Sequence, residues 1–226
     1  MNVEDEKRRA VVEIETYLGG LRTARPSVAL AAARSPKAAG TIAEILAAGR
    51  RVFVRDGHAG LSLRKVAEEA NVAVGNVSYY FETKRALIEA VLSEALADYV
   101  EAHIRHFEAD RQSPLEILLD VVTFYVSNAR QTHALFFHMW GFAASGPEAK
   151  ELIRKLYRPI GRFIYFLVRA ARPDASDARV REIVLQLFSL EEGVKLFIGM
   201  GPNDNIALAT AETHVRDLAR RIILAD

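Results

Sequence analysis

The sequence predicts an all-α protein, with a small three-helix unit near the N-terminus and a larger helical bundle after it. Two observations carry this. Apolar residues recur at i, i+3, i+4 and i+7 through most of the 226 residues, whereas alternating β-branched runs bounded by turn pairs are hard to find. Between Leu63 and Phe81, two short helical patterns are joined by a tight turn.

Taken in order, Val3 to Leu18 predicts an amphipathic helix ended by Gly19-Gly20, and an Ala-rich stretch with Pro26 and Pro36 follows. Residues 1–36 therefore read as an N-terminal extension or arm, or equally as a partly ordered tail. From Thr41, Ile42, Ile45, Leu46, Val52 and Phe53 share a helical face, and Asp56-Gly57 supplies a stop. Ser62 caps a short helix carrying Leu63, Val66, Ala67 and Ala70. After the turn at Asn71-Val72, a second short helix spans about Ala73 to Phe81. Thr83 caps a long helix towards Ala109.

Ser113-Pro114-Leu115-Glu116 is a capping box opening a helix to about Arg130. A shorter helix is expected through Phe136, Phe137, Met139, Trp140 and Phe142, closing near Gly146. Pro147 opens a helix to about Arg172, which Pro159 should kink or interrupt. Asp174, Ser176 and Asp177 offer caps for a helix to Gly199 and Gly201-Pro202, and a last helix occupies about Ile206 to Leu224.

Composition bounds the function. Half the residues are hydrophobic and 26% are charged, which is ordinary globular usage. The absence of cysteine excludes a disulfide scaffold, a thiolate zinc site and a cysteine nucleophile. Met1-Asn2-Val3-Glu4-Asp5-Glu6 is acidic where a secretory signal is basic, and no apolar run approaches the ~18 residues of a membrane span. The expectation is a cytoplasmic protein with no membrane partner. Thirty Lys+Arg against 29 Asp+Glu leave a net charge of only +1, so any nucleic-acid partner must be recognised by local charge.

The Leu63–Phe81 segment meets the steric demands of a helix-turn-helix. Ala67 is small where the second helix crosses the first, and Asn71 tolerates the positive φ of the turn. Val72, Val66 and Val77 are its inward apolar residues. Such a unit presents its second helix to the DNA major groove.

The run Leu63-Arg64-Lys65-Val66-Ala67-Glu68-Glu69-Ala70-Asn71-Val72-Ala73-Val74-Gly75-Asn76-Val77-Ser78-Tyr79-Tyr80-Phe81, with Thr83-Lys84 and Leu87, resembles the TetR family of transcriptional repressors. The likeness spans about Thr41 to Val91; beyond it only the helical layout is similar. Three positions depart from the family pattern: Asn71 where Gly is usual, Ala73 where Ser is usual, and Ser78 where Tyr is frequent. The last two alter the reading face and put the operator sequence beyond prediction.

Val74, Gly75, Asn76 and Ser78 can reach base edges, with Asn76 suited to a bidentate contact and Val74 to a thymine methyl. Tyr79, Tyr80, Lys84, Ser62, Arg64 and Arg51 are phosphate candidates. From Arg50 to Arg85, seven cations stand against four carboxylates, a local +3 that the whole-chain value conceals. The resulting division is residues 1–36 as extension, 37–88 as DNA-binding domain, and 89–226 as effector-binding and dimerisation domain.

In the bundle, Phe124, Tyr125, Phe136, His138, Trp140, Phe142, Tyr157, Phe163, Tyr165 and Phe166 are candidates for ligand contact or plain core. The resemblance implies a small-molecule effector; no charged pair stands out as its anchor, so an apolar or aromatic one is expected. Val184, Leu187, Phe188, Val194, Phe197, Val215, Leu218 and Ile222 form broad apolar faces, which in the family build a homodimer interface. Two-fold symmetry also suits a palindromic double-stranded operator. His103 and His106 have a spacing that can chelate metal, yet no cysteine or carboxylate cluster accompanies them, and no metal or cofactor is expected. No nucleophile elbow, phosphate loop or dinucleotide fingerprint is present. The expected function is a sequence-specific DNA-binding repressor released by its effector, not an enzyme; the alternative is a helical ligand-binding or interaction module that does not read DNA.

Overall fold

The structure, a computed structural model, describes residues 3–23, 35–109, 113–201 and 206–225. Among them every regular element is a helix: α1 Val3–Thr23, α2 Pro36–Gly60, α3 Leu63–Ala70, α4 Val74–Tyr80, α5 Lys84–Ala109, α6 Pro114–Ala144, α7 Pro147–Ala171, α8 Asp177–Met200, α9 Ile206–Ala209 and α10 Ala211–Leu224. The Ala-rich stretch containing Pro26 lies outside the described residues.

Caps read from sequence are in place: Ser62 and Ser176 each accept a hydrogen bond from the backbone N–H three residues on, at 3.2 Å, and Ser35, not expected as a cap, does the same for Ala38. Thr83 does the same for Ala86 at 3.0 Å. Pro36 sits in the first turn of α2, so that helix begins before the Thr41 expected for it.

Four elements depart from expectation. First, α1 runs straight through Gly19-Gly20 to Thr23. Ile14 and Leu18 are buried, and the Tyr17 hydroxyl donates to the Pro159 carbonyl at 2.9 Å. This docking outweighs the helix penalty of about 1 kcal/mol per glycine. Second, the two helices expected between Pro114 and Gly146 are one. The stretch from Asn128 to His133 looks polar, yet Ala129 and Thr132 are buried and carry the packed face through it, so the helix continues. Third, of the two outcomes open at Pro159, a kink or an interruption, the interruption does not occur, and α7 runs through it. Fourth, the last helix is divided at Thr210, whose φ −113, ψ 23 backbone is not helical.

The residues form two compact units: 1–21, 100–133 and 158–226 in one, 22–99 and 134–157 in the other. The helix-turn-helix therefore shares its unit with the end of α6 and the start of α7, a partition that chain order at residues 36 and 88 does not give.

In the first unit Tyr125, Phe163, Val168, Ile183 and Ala219 are fully buried. Its α6 and α10 are tied by ion pairs: Arg216 to Glu116 at 2.7 Å and Asp120 at 2.5 Å, Arg220 to Glu116 at 2.8 Å, and Arg130 to Glu212 at 2.8 Å. Arg220, with Arg216, holds the Glu116 carboxyl below its ordinary value, although burial opposes this. That engagement leaves the expected capping box half made: Ser113 Oγ accepts from the Glu116 N–H at 3.4 Å, while the Glu116 carboxylate faces the arginines.

Candidate nucleic-acid interface

The helix-turn-helix is set by α2, α3 and α4, all in the second unit. Ile42, Ile45, Leu46, Val52 and Phe53 of α2 make a buried stripe; α3 packs on α2 and α4 on α3, with Val66, Ala67 and Val77 buried. Gly49 lets α5 come close, since a Cβ there would meet the Val91 side chain at 2.6 Å. The stop expected at Asp56-Gly57 is real: Gly57 has φ 66, ψ −176, a region that only glycine enters readily.

The turn works as the residues require. Asn71 takes the left-handed conformation (φ 54, ψ 44), and it is the one non-Gly residue with positive φ among those described. The N–H of Val72 reaches back to the Ala67 carbonyl at 3.0 Å and that of Asn71 to Glu68 at 3.2 Å, which closes α3. Ala73 starts α4 without a side-chain cap bond, the cost of having no hydroxyl there.

With Val77 buried, the opposite face of α4 is presented outwards. Val74 is 44% and Tyr79 70% exposed. Gly75, Asn76 and Ser78 are exposed as well, and Gly75 has nothing within 4 Å of where a Cβ would lie. Tyr80 is half-buried, its ring edge-to-face with Tyr79 at 5.0 Å.

The charged residues are more engaged than the sequence suggested. Arg51 donates to Glu69 at 2.8 Å and Arg55 to the same carboxylate at 3.0 Å. Arg64 pairs with Glu68 at 2.9 Å, and Lys65 with Asp56 at 3.1 Å. These partners keep the half-buried Glu69 carboxyl (Arg51 foremost) and Asp56 carboxyl (Lys65 foremost) below their ordinary values. Arg85 pairs with Glu148. Lys84 differs, because its ammonium donates to the uncharged Ala59 carbonyl at 3.1 Å. Among the described residues no carboxylate pairs with it, and Lys84 opens α5 four residues after the end of α4. Ser62, another phosphate candidate, is half-buried and spends its oxygen lone pair on the cap of α3. Arg55 and Lys65 were missed as participants; only the i, i+4 spacing of Arg64 and Glu68 was readable beforehand.

The aromatic candidates for effector contact divide between the units. In the second, Phe136 and Phe142 are buried, and half-buried Trp140 donates to the Tyr157 hydroxyl at 3.4 Å. His138 lies against Gly57 and near the Phe53 ring, with centroids 6.1 Å apart. In the first, Tyr125 and Phe163 are buried while Phe124 and Phe166 are half-buried. Half-buried Tyr165 donates to Asp177.

Of the residues expected at a subunit interface, Leu187 and Val215 point into their own unit and are buried. Val184, Phe188, Val194 and Ile222 are half-buried, and Phe197 and Leu218 are exposed. Leu185 and Met200, which sequence reasoning passed over, are 67% and 66% exposed. The side chains of His103 and His106 lie outside the description, and no group of three or more metal-ligating residues occurs among the described ones. No described helix is long and apolar enough to cross a membrane.

Comparisons agree with this geometry. Residues 45–91 match the family described as bacterial regulatory proteins, tetR family. The HTH-type transcriptional regulator BetI of Burkholderia thailandensis is 30% identical over 168 residues, 73% of this chain and 86% of that protein. Among solved structures, FadR from Bacillus subtilis in complex with stearoyl-CoA superposes with TM-score 0.68 at 17% identity, over 79% of this chain and 97% of that one. A transcriptional regulator from Saccharomonospora viridis in complex with choline gives 0.66 at 16% identity, over 78% and 93%. The two structural likenesses show the fold alone; the BetI match extends through most of both chains. The chain belongs to the tetR family of bacterial regulatory proteins and is a DNA-binding transcriptional regulator.

Proposed function

We propose that the protein is a homodimeric repressor, acting in the cytoplasm, that leaves a palindromic operator when a small molecule binds. The observation that carries the reading is α4 itself: Val77 locked in the core, and Val74, Gly75, Asn76 and Ser78 all facing outwards from a helix fixed by the Asn71 turn. That face fits a major groove, with Asn76 offering both a donor and an acceptor to a base edge and Val74 an apolar contact. Lys84 and the exposed Tyr79 flank it as phosphate contacts, joined by Tyr80, Ser62, Arg64 and Arg51. The arginines would exchange or share their present carboxylates on binding.

Residues 37–88 serve as the reading domain and 89–226 as the effector and dimerisation domain, preceded by the extension 1–36. Exposed Leu185, Phe197 and Met200 on α8, with Leu218 on α10, support a two-fold contact between subunits. An apolar or aromatic effector suits the aromatic side chains of the domain. Structural relatives hold stearoyl-CoA and choline, so the fold itself accepts chemically different ligands.

The test is duplex binding after selection from a random pool. Lys84→Ala should weaken binding to every sequence alike and lower the salt slope by about 1. Asn76→Ala should cost about 1–3 kcal/mol and relax preference at one base position. Unchanged affinity and preference in both variants would remove α4 from the reading role.

A further inference from the structure

We propose a small-molecule site in the groove between α1 and α7, one that takes a monocarboxylate with an apolar body. It goes beyond the regulatory reading, which gives α1 no role. Ile14 and Leu18 bury one face of α1, and the next face forms a groove of about 620 Å³ with α7, within the usual size of ligand sites.

The groove is lined by Val12, Glu13, Thr16, Tyr17, Gly20, Arg162 and Phe166. The Tyr17 and Phe166 rings lie 5.7 Å apart, and the Arg162 guanidinium carbon sits 5.6 and 5.5 Å from their centroids. Among the described residues no carboxylate or carbonyl accepts from Arg162. A planar fork of donors is thus held by two rings with its hydrogen-bonding edge unspent, so little further ordering is needed to bind a carboxylate in bidentate fashion.

The neutral polar groups are already committed. Thr16 donates to the Val12 carbonyl at 2.8 Å and Tyr17 to the Pro159 carbonyl at 2.9 Å. Burial pushes the Tyr17 phenol up, against the pull of Arg162, so it stays uncharged at neutral pH. Glu13 disfavours a second negative charge on the ligand, which selects against phosphate monoesters and dicarboxylates. Exposed Val12, the ring faces and the open space over Gly20 leave room for an apolar body.

The probe is 4-phenylbutyrate, titrated calorimetrically into the full chain, with 4-phenylbutanamide as its neutral counterpart. One molecule should bind per chain, and the amide should bind at least tenfold more weakly. Arg162→Gln should lose about 10- to 100-fold, as expected for a charge-assisted bidentate pair. Gly20→Trp fills the groove from an open position and should abolish binding. Arg162→Lys keeps the charge without the fork and should fall between. Operator binding and melting temperature, measured on the same samples, should match wild type in all variants, so a failure here is separable from a failure of the DNA reading. No heat at millimolar probe, or wild-type affinity in either Arg162→Gln or Gly20→Trp, would overturn the proposal.

Discussion

Gly57 offers the sharpest test of how the helix-turn-helix is supported. Its φ 66, ψ −176 backbone costs a residue with a side chain about 1–3 kcal/mol before any contact is considered. A Cβ there would also sit 2.8 Å from Nδ1 of the half-buried His138 ring, which would have to leave its rotamer at about 0.5–1.5 kcal/mol. Gly57→Ala should therefore destabilise by roughly 2–4 kcal/mol. Trp140 belongs to the same unit, so its fluorescence during urea unfolding reports the change directly. In a His138→Ala background the steric part should vanish and the backbone part remain, shrinking the cost of Gly57→Ala by about 1 kcal/mol. Asn71 is the internal control: at φ 54, ψ 44 it already tolerates its conformation, and Asn71→Gly should change stability by less than about 1 kcal/mol. A cost below about 1 kcal/mol for Gly57→Ala, or the same cost with and without His138, would refute the argument.

Three further outcomes follow from buried and exposed positions. Glu191 is buried beside Lys195, whose ammonium lies 3.1 Å from it and 2.9 Å from Glu192. Burial pushes the Glu191 carboxyl up to about 7 despite the lysine. Because the folded state then holds the proton more tightly than the unfolded chain, this stability is complete below the unfolded value near 4.3 and is lost as pH rises through about 7. Denaturation between pH 5 and 8 should show a weaker decline in Glu191→Gln than in wild type; parallel curves would contradict the assignment. On α8, Phe197→Asp should give folded monomers by sedimentation, whereas Leu187→Asp should lower the melting temperature sharply, because it places a charge inside a monomer core. A folded dimer from Phe197→Asp would move the subunit contact elsewhere.

What could be read in the sequence was whatever a few neighbouring residues decide together. The Ser62, Thr83 and Ser176 caps, the Asn71 turn and the alternation that buries Val77 and exposes Asn76 are all local, and each was legible. The continuity of α6 across Asn128–His133 was not, since it rests on the burial of Ala129 and Thr132 within a stretch that reads as polar. The Arg51–Glu69 link spans 18 residues and the Lys84–Ala59 link 25, and no spacing rule announces either. Lys195 was illegible for another reason: a lysine is ordinarily solvated, and only packing reveals one that is 1% exposed. The aromatic cluster marked a rich core without telling which rings stay half-exposed.

The bond from Tyr17 to Pro159 joins residues 142 positions apart, and this separation has a consequence for biosynthesis. At ribosomal rates of about 5–20 residues per second, α1 waits roughly 7–30 s before the helix it docks against has been made. A lone 21-residue helix with two glycines is marginal in water, so α1 spends that interval as a fluctuating segment with Ile14 and Leu18 uncovered. The contacts that build the helix-turn-helix, between α2, α3, α4 and the start of α5, are all completed within residues 36–92 and close long before. Although made before the helix-turn-helix, α1 is thus secured after it, and in the nascent chain the DNA-reading element is assembled ahead of the helix that precedes it.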